Sequence, residues 1–432
     1  MIKPKETEEI KPEEVADLIV KSVFIRYYDG NLYVFALDGF NCYRKMEGKE
    51  VIHFIDKFVK ERKIKFSPLK YDNVKKCLES NCEIVVKRGE GLPLNICPFG
   101  NFLVNIESGE VLQNPQDFFY CYSLGCEYIP GEICPQFDAF IAAITNDDKI
   151  LTEAMWQIIG YLMVDDNNCK KFFVFQGVKD TGKSLLAKVI AALLGEEGVC
   201  AMNIAEFGEK FSLAELKNKR LATSMDLTDE PLSVKAVGEI KSITGDDLIR
   251  SEGKFKAGET VHLNARLLFG TNHQIHTKKN DAAFMERQYV LPFYYQVPPD
   301  KQDKNLFYEL SRELPGIALK AMKAYLRLAK NNYILPQIHI NIPEEMCWDH
   351  EKIIEKFSQE KCDFSDPKVR TSTEELYQAY VNFTNEERIE SLEKHKFSEF
   401  FNKKNLSAKK KKIIVEGKSL QGYEGVKLKF QG

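Results

Sequence analysis

The spacing of apolar residues changes along the chain and separates predicted strands from predicted helices. Two segments alternate like paired strands around a turn: residues 21–40, with the turn at Asp29-Gly30-Asn31, and residues 99–113, with the turn at Ser108-Gly109. Apolar positions recur at helical spacing in other segments: residues 49–63, 71–79 and 151–163, and a helix that begins at Pro135. The chain before about residue 165 is therefore expected to be a small α+β region with a helical end.

A different pattern begins at Phe172. Residues 172–175 are uniformly apolar and are typical of a buried parallel strand, whereas residues 185–194 read as a buried helix. Between them, the chain from Gly177 to Ser184 fits G-x-x-x-x-G-K-[ST]. Backbone N–H groups of such a loop can wrap a phosphate, and the helix N-terminus adds partial positive charge. A chance glycine turn is the alternative, but the flanking strand and helix favour a phosphate site.

The loop is therefore expected to bind ATP and Mg²⁺. Lys183 would reach the β- and γ-phosphates, and Ser184 would be a ligand of Mg²⁺. The residues predicted to contact the nucleotide are Gly177, Lys179, Asp180, Thr181, Gly182, Lys183, Ser184 and Leu185.

Residues 220–226 read as a strand that ends on the acid Asp226. An acid at the carboxyl end of a parallel strand beside the loop strand is placed to manage Mg²⁺ and the attacking water. Asp226 is therefore a candidate Mg²⁺ ligand, and Asp229 and Glu230 follow closely enough to supply a base. A strand that ends in Asp is common, and a helix cap is the other interpretation of Asp226.

Three further features follow along the chain. A helix is expected to break at Gly245, before a basic, aromatic-bearing hairpin or loop that contains Lys254 and Lys256. The next apolar strand ends at Asn272, whose amide could orient water near a γ-phosphate, although an ordinary turn residue is the better explanation when Asn272 is taken alone. Arg287 stands immediately before a last strand.

The chain after residue 300 changes character again. Residues 301–330 read as helices, and residues 331–368 as a connector with one helix. The last segment combines two helices with two alternating strands: a capped helix from Ser372, a helix from Phe397, and strands at residues 409–415 and 422–430. Helices followed by a hairpin suggest a winged helix.

The charge of the chain limits where nucleic acid could bind. The net charge is −3, so a nucleic-acid surface must be local. From residue 394 to the end, however, the sequence contains eleven lysines and three glutamates. The run Lys409, Lys410, Lys411 and Lys412 could be a solvated face, but its place in a winged-helix pattern favours phosphate contacts.

Other compositional features narrow the class of protein. No apolar run approaches ~18 residues, and the start has no apolar signal region, so a cytoplasmic protein without membrane contact is expected. The 11 cysteines are scattered and odd in number, as in a reducing compartment. A cluster of four, Cys97, Cys121, Cys126 and Cys134, could bind zinc, but buried free thiols fit the spacing better.

From about residue 100 to 430 the chain resembles superfamily 3 helicases, in the branch shared by phage and plasmid primase-helicases, poxvirus primase-helicase NTPases and mobile-island replication proteins. Besides the phosphate loop, four segments carry the resemblance: residues 134–141 and 157–162 in the helical lead-in, residues 243–256 in the B′ segment, and residues 268–272 in motif C. The set in order is more specific than the loop alone. The resemblance implies an AAA+-like core, usually a hexameric ring that moves along single-stranded DNA.

The resemblance also implies roles for individual residues. They are Lys183 and Ser184 as the Walker A pair, Asp226 at the end of the Walker B strand, Asn272 as the sensor, Arg287 as the arginine that completes a neighbour's site, and Lys254 and Lys256 on the channel hairpin that grips DNA. Lys179 and Thr181 stand where the branch often has Gly and Asn. The strand before Asp226 has fewer β-branched residues than is common in the branch. Residues 1–100 look too short and too poor in paired acids for a primase.

These observations predict an α/β protein with five regions. They are an N-terminal α+β region (1–100), a helical lead-in (101–165), an AAA+-like P-loop NTPase core (166–300), a helical lid and connector (301–368) and a winged-helix DNA-binding domain (369–432). The predicted function is an ATP-dependent DNA helicase of a phage, plasmid or mobile element. Single-stranded DNA would bind in the channel, and duplex DNA would bind to the winged helix. A separate primase or polymerase is a candidate partner. A DNA-binding origin factor whose nucleotide site drives assembly is the main alternative, and a small-molecule P-loop kinase fits the motif set less well.

Overall fold

The chain divides into two compact units, residues 1–338 and residues 339–432. The computed structural model describes residues 10–36, 41–87, 90–228, 230–251, 259–279, 281–297, 302–338, 350–386, 391–404, 408–415 and 418–429. None of the helices in this described part has the length and apolar character that crossing a membrane requires.

The first unit begins with three helices packed on a three-stranded antiparallel sheet. Its elements are α1 (Pro12–Ser22), β1 (Ile25–Tyr28), β2 (Asn31–Phe35), β3 (Tyr43–Met46), α2 (Gly48–Glu61) and α3 (Tyr71–Ser80). Asp29 and Gly30 join β1 to β2 with φ of 49° and 71°, and two such residues form the tight turn that suits a twisted hairpin. The predicted hairpin and the helices predicted at 49–63 and 71–79 are confirmed.

A second small sheet and two long helices lead into the core. The elements are β4 (Ile96–Pro98), β5 (Leu103–Asn105), β6 (Val111–Leu112), α4 (Pro135–Thr145) and α5 (Lys149–Met163). The pairing of β5 with β6 confirms the hairpin predicted around Ser108-Gly109. The boundary predicted at residue 100 falls inside this sheet, because β4 and β5 pair across it. The region predicted as a helical lead-in therefore starts with strands.

The core is a five-stranded parallel sheet with helices on both faces. Its elements are β7 (Phe172–Gly177), α6 (Lys183–Leu194), β8 (Val199–Ala201), β9 (Leu221–Ser224), α7 (Val234–Gly245), the hairpin β10 (Ile249–Ser251) and β11 (Glu259–Val261), β12 (Arg266–Thr271), α8 (Ala282–Arg287) and β13 (Gln288–Phe293). The strand order is β13-β7-β12-β9-β8. Phe173 packs into one hydrophobic core and Phe172 into the other. Burial on both faces explains the continuous apolar run of β7.

Two helices close the first unit, α9 (Leu306–Arg312) and α10 (Leu314–Lys330). Helix α10 crosses α5 at Gly160, where a Cβ would lie 2.1 Å from the carbonyl oxygen of Ala321. Glycine is therefore required for the two backbones to approach this closely. The carboxylate of Glu313 accepts hydrogen bonds from the backbone N–H groups of Gln136 and Phe137, which ties α4 to the start of α10.

The second unit is a small α/β fold. It contains α11 (His350–Lys361), β14 (Cys362–Asp363), β15 (Arg370–Ser372), α12 (Thr373–Glu386), α13 (Lys394–Lys404), β16 (Lys409–Val415), β17 (Lys418–Glu424) and β18 (Lys427–Leu428). Its strands form a β15-β17-β16 sheet and a β14-β18 pair. Ser372 and Glu375 exchange hydrogen bonds at the start of α12, which confirms the predicted cap.

Two boundaries in the second unit differ from the prediction. The strand expected at 422–430 is replaced by β17, which starts at Lys418 so that it can pair along β16, and by β18, which pairs with β14. The predicted start at residue 369 is too late, because Phe357 of α11 packs in the same core as Phe397 and Tyr423.

Candidate functional site

The phosphate loop lies between the end of β7 and the start of α6. Gly177 has φ of 156°, and a Cβ there would lie 1.8 Å from the carbonyl oxygen of Phe293 on β13. Gly182 has φ of 88°, and a Cβ there would lie 2.9 Å from the side chain of Ile144 on α4. Both motif glycines are thus required by backbone conformation and by close neighbours. The loop is held between the last strand of the sheet and the lead-in helix.

The segment after β13 adds a second contact to the loop. Val297 N donates to the carbonyl oxygen of Asp180 at 2.9 Å, and Gln296 Nε2 donates to that of Lys179 at 3.2 Å. Thr181 Oγ1 donates within the loop to the carbonyl oxygen of Val178 at 2.9 Å. These bonds fix the loop backbone and leave the side chains of Lys179 and Asp180 exposed.

Lys183 is the first residue of α6 and is only 7% exposed. Its Nζ donates to the carbonyl oxygens of Gly177 and Val178, so the ammonium group lies over the loop. Ser184, next along the helix, is exposed. The lysine of the motif is therefore directed to the place where a phosphate would sit.

The start of α6 differs from the starts of α5 and α7. Asp148 accepts hydrogen bonds from the first turn of α5, and Ser233 accepts one from the first turn of α7. Helix α6 has no side-chain cap, and Gly182 stands at its N-cap. The first-turn N–H groups of an α-helix have no partner within the helix. A helix start with glycine at the N-cap can place its first-turn N–H groups against an anion such as a nucleotide phosphate.

Asp226 lies at the same edge of the sheet, but not as predicted. Strand β9 ends at Ser224, and β12 lies between β9 and β7, so the acid does not follow a strand that neighbours the loop strand. The chain after β9 instead turns onto β12. Leu227 N donates to the carbonyl oxygen of Gly270 at 3.3 Å, and a Cβ at Gly270 would lie 3.0 Å from the Cα of Met225. The glycine lets this segment approach β12, and Asp226 remains exposed beside it.

Asn272 and Glu230 flank the same region. Asn272 directly follows β12, whose last residue Thr271 pairs with Gln176 at the end of β7. Glu230 is exposed, and the residues after it return to the segment beyond Asn272, because Leu232 N donates to the carbonyl oxygen of His276 at 2.8 Å. The loop, Asp226, Glu230 and Asn272 thus share the carboxyl edge of the sheet. Asp229 lies outside the described residues.

The predicted DNA hairpin is present in part. Strands β10 and β11 pair antiparallel with Ile249 opposite Val261, which confirms a hairpin after the helix that ends at Gly245. Lys254 and Lys256 lie between these strands in the sequence, outside the described residues.

Arg287 lies at the opposite edge of the sheet. It ends α8, and the next residue, Gln288, pairs with Phe172 at the start of β7. Its guanidinium lies along the end of α7, 3.5 Å from where a Cβ of Gly245 would be. A surface ion pair with Asp281 is not formed, because that carboxylate binds Lys241 at 2.7 Å and caps α8.

The amino edge holds a charged cluster that the sequence did not reveal. Arg220, immediately before β9, is 2% exposed and donates to Asp165 Oδ1 at 2.7 Å. Arg266, the first residue of β12, is 3% exposed and lies 3.9 Å from the same oxygen. The Arg220 guanidinium also lies over the ring of Tyr122 at 4.6 Å. The sequence signal that could have indicated this cluster is the arginine at the start of each of two apolar strands.

The four lysines of the second unit lie on β16 and are all exposed. Their register divides them between the two faces of the sheet: Lys409 and Lys411 stand opposite Glu424 and Gly422, and Lys410 and Lys412 opposite Tyr423 and Gln421. Lys411 forms an ion pair with Glu424, and this hydrogen bond lowers the pKa of the carboxyl group. Lys411 is therefore partly neutralised within the unit.

The four cysteines predicted as buried thiols or zinc ligands have the raised pKa values of thiols removed from water. Burial raises the pKa of the Cys126 thiol and of the Cys134 thiol to about 12. It also raises the pKa of Cys97 and Cys121 well above the ordinary range. In the described part of the chain, no group of three or more His, Cys, Asp or Glu side chains is arranged to hold a metal ion. A Mg²⁺ site at Ser184 and Asp226 would need phosphate oxygens as further ligands.

Sequence comparisons reach only part of the chain. Residues 175–287 match the family model DUF5906, which is described as a family of unknown function. The uncharacterized mitochondrial protein ymf21 of Marchantia polymorpha is 29% identical over 94 residues, which cover 21% of this chain and 52% of that protein. The match thus spans about half the length of this curated relative. The family match runs from β7 to Arg287 and includes all the candidate site residues of the core.

Comparison of structures shows the fold. The apo C-terminal region of NrS-1 aligns with a TM-score of 0.50 over 97% of this chain and 100% of that chain, at 11% identity. JCV helicase aligns over 46% of this chain and 62% of that chain at 15% identity, with a TM-score of 0.31, too low for any argument. The chain is thus a mixed α/β protein with a parallel sheet, and it shares its fold with the NrS-1 region.

Proposed function

We propose that the chain is an ATP-dependent DNA helicase with an AAA+-like core. The observation that carries the proposal is the shared carboxyl edge, where the phosphate loop, Asp226 and Asn272 follow three strands of one parallel sheet. Ligands of such sheets bind outside the carboxyl ends of the strands. A glycine loop, an exposed acid and an amide at this edge are the groups that nucleotide hydrolysis requires.

ATP would bind with its phosphates at the start of α6. Lys183 would exchange the carbonyl oxygens of Gly177 and Val178 for the β- and γ-phosphate oxygens. Ser184 and Asp226 would hold Mg²⁺ together with phosphate oxygens. Glu230 would accept a proton from the attacking water, and Asn272 would orient that water. When bound there, Mg²⁺ would supply positive charge to neutralise the transferring oxygens.

Arg287 would act on the nucleotide of a neighbouring copy. Gln288 pairs with the first residue of β7 and Phe293 with the last, so Arg287 lies about 17 Å from its own loop at ~3.3 Å per residue. This separation exceeds the reach of an arginine side chain. A guanidinium delivered from a neighbour would stabilise the transferring phosphoryl group, which is worth roughly 10³–10⁵ in rate. The active species would then be an oligomer, with a hexameric ring as the expected form.

A mixing experiment tests the trans assignment. Arg287→Ala and Asp226→Asn proteins should each be nearly inactive alone. Their mixture should recover part of the ATPase activity, because some junctions pair an intact Asp226 with an intact Arg287. The absence of recovery in mixed oligomers verified by native mass spectrometry would reject a trans role. Full activity of Arg287→Ala alone would reject any role in hydrolysis.

The second unit is proposed to be a winged helix that binds duplex DNA through Lys409, Lys410 and Lys412, with Lys411 engaged by Glu424. Changing all four lysines to Gln should flatten the salt dependence of duplex affinity by roughly three contacts, about 0.9 in log–log slope for each. ATPase activity without DNA should not change. An unaltered salt slope would mean that these four lysines form an ordinary solvated face.

Unwinding assays test the function as a whole. The wild-type protein should hydrolyse ATP faster in the presence of single-stranded DNA and should displace an annealed strand from a forked substrate. ATP-dependent assembly on DNA without strand displacement would instead favour an origin or regulatory factor. Hydrolysis that ignores DNA and depends on a small acceptor molecule would favour a kinase.

A further inference from the structure

The last turn of α2 and its connection to α3 form a strongly basic, exposed segment of the first unit that has no role in the nucleotide site. Residues 57–70, here called the basic apex, carry six basic side chains and one carboxylate, in a chain of net charge −3. Lys57, Lys60, Arg62, Lys63 and Lys65 are all exposed. Of these, Lys60 is paired with Asp56 at 2.7 Å. Folding alone does not explain why so much positive charge is gathered on one turn.

The apex is an ordered turn. Lys63 has φ of 55° and ends α2, and Ile64 N donates to the carbonyl oxygen of Val59 at 3.0 Å. The Arg62 guanidinium lies 3.8 Å from the centre of the Phe58 ring, which holds it over the helix end. Phe66 stacks on Tyr71 at 6.0 Å between ring centroids. The basic side chains therefore project from a fixed backbone.

An apolar residue stands beside these charges. Pro68 opens a 3-10 turn, Pro68–Lys70, and Leu69 within it is 93% exposed. The apolar side of α2 and α3 is used elsewhere, because Ile55, Phe58 and Val74 are buried in the core under the sheet. Leu69 is thus presented to solvent on the same turn as the lysines.

We propose that the basic apex is a contact surface for single-stranded nucleic acid. Lys57, Lys63 and Lys65 would bind consecutive phosphates, and Leu69 would rest on a base. A single strand fits better than a duplex, since its base faces are open to an apolar side chain whereas those of a duplex are stacked. The surface is separate from the nucleotide site and from the lysines of β16, and the proposal does not require ATP hydrolysis.

The test compares two triple variants of the full chain. Lys57→Gln/Lys63→Asn/Lys65→Gln removes charge from the apex, with Asn chosen because it tolerates the left-handed conformation. Lys21→Gln/Lys149→Gln/Lys323→Gln removes the same charge from three exposed, scattered sites. Binding of a fluorescent oligothymidylate is measured without nucleotide between 50 mM and 200 mM salt.

The apex variant should bind on the order of 10- to 100-fold more weakly at ~0.1 M salt, and its salt slope should fall by up to about three times 0.7, the value for single strands. The scattered variant should match the wild type. Equal losses in both variants would mean an effect of net charge only and would overturn the proposal, as would no loss in either. Because no nucleotide is present, these results do not depend on whether the chain is an ATPase.

Two further measurements test the chemistry of the surface. Leu69→Ala should weaken binding severalfold without changing the salt slope, since an apolar contact releases no counterions. An unchanged affinity would reject the base contact. Vesicles that contain phosphatidylserine provide the competing anionic surface. One outcome would be that the apex variant fails to bind these vesicles although the wild type binds them, while both proteins show the same salt slope for the oligonucleotide. In that case the surface is a membrane contact and the proposal is wrong.

Discussion

Charged side chains are exposed at one edge of the five-stranded sheet and buried at the other. At the carboxyl edge, Asp226 and Glu230 are exposed, and the loop that precedes Lys183 also exposes the charged side chains of Lys179 and Asp180. At the amino edge, Arg220 and Arg266 are 2% and 3% exposed and share the carboxylate of Asp165. A buried ion pair must be satisfied within the fold. An exposed acid such as Asp226, at the edge where α6 starts, can bind a ligand.

A separate contrast appears at the starts of helices. Asp148 and Ser233 cap α5 and α7 with side-chain oxygens, so the first-turn donors of these helices are used in folding. Helix α6 starts at Gly182 without such a cap. We infer that Arg220, Arg266 and Asp165 at the amino edge stabilise the sheet and that the carboxyl edge is kept for the nucleotide, whereas Arg287, also at the amino edge, would serve the site of a neighbour. Changes at the two edges should therefore separate activity from stability.

The largest effect is expected from Lys183→Ala at the carboxyl edge. It should lower the rate of ATP hydrolysis on the order of 10³-fold or more, because a charge on the transferring phosphate is lost. The unfolding midpoint should stay close to that of the wild type. Lys188→Ala, an exposed lysine on the same helix, is the matched control and should be active. Near-normal turnover of Lys183→Ala would contradict the assignment of the edge.

The next effect belongs to the amino edge. Arg220→Met should lower the free energy of unfolding by about 1.5–3 kcal/mol, because the partly exposed Asp165 loses its hydrogen bond to the Arg220 guanidinium and keeps Asn264 and the more distant Arg266. Urea denaturation followed by circular dichroism measures it. Arg312→Met, at an exposed arginine at the end of α9, should change stability by no more than about 0.5 kcal/mol. Folded Arg220→Met protein should keep its nucleotide affinity, and a loss of affinity without a loss of stability would reverse the comparison.

The smallest effects distinguish the helix starts. Asp148→Ala should cost about 1 kcal/mol of stability, because Ile150 N and Leu151 N lose their acceptor. Ser184→Ala, in the first turn of uncapped α6, should leave the unfolding free energy unchanged within about 0.5 kcal/mol. It should instead raise the Mg²⁺ concentration needed for half-maximal ATPase activity. A stability loss in Ser184→Ala similar to that of Asp148→Ala would show that Ser184 serves the fold.

The elements with strong local signals could be predicted from the sequence. The Asp29-Gly30 turn, the strand–glycine loop–helix arrangement of β7 and α6, and the capped start of α12 are encoded by neighbouring residues, and the structure contains all three. The order of the strands could not be predicted, because the placement of β12 between β7 and β9 depends on packing between residues far apart in the chain. This is why Asp226 was expected beside the loop strand.

The charged cluster at the amino edge was missed for a related reason. Asp165, Arg220 and Arg266 come from three separate parts of the chain and meet only in the folded sheet. In the sequence, each resembles an ordinary polar residue at the end of an apolar segment. The residues of the basic apex, by contrast, are contiguous in the sequence. The structure adds the exposure of Leu69 and the hydrogen bond that fixes the turn.

The central claim is that the carboxyl edge binds ATP and that Arg287 completes the site of a neighbour. Cryo-electron microscopy of the protein with a nonhydrolysable ATP analogue, Mg²⁺ and single-stranded DNA tests it most directly. We predict a ring in which the γ-phosphate contacts Lys183, Mg²⁺ contacts Ser184 and Asp226, and Arg287 from the adjacent copy reaches the same phosphate. A nucleotide bound away from the start of α6, or a closed oligomer in which Arg287 faces no phosphate, would contradict the account.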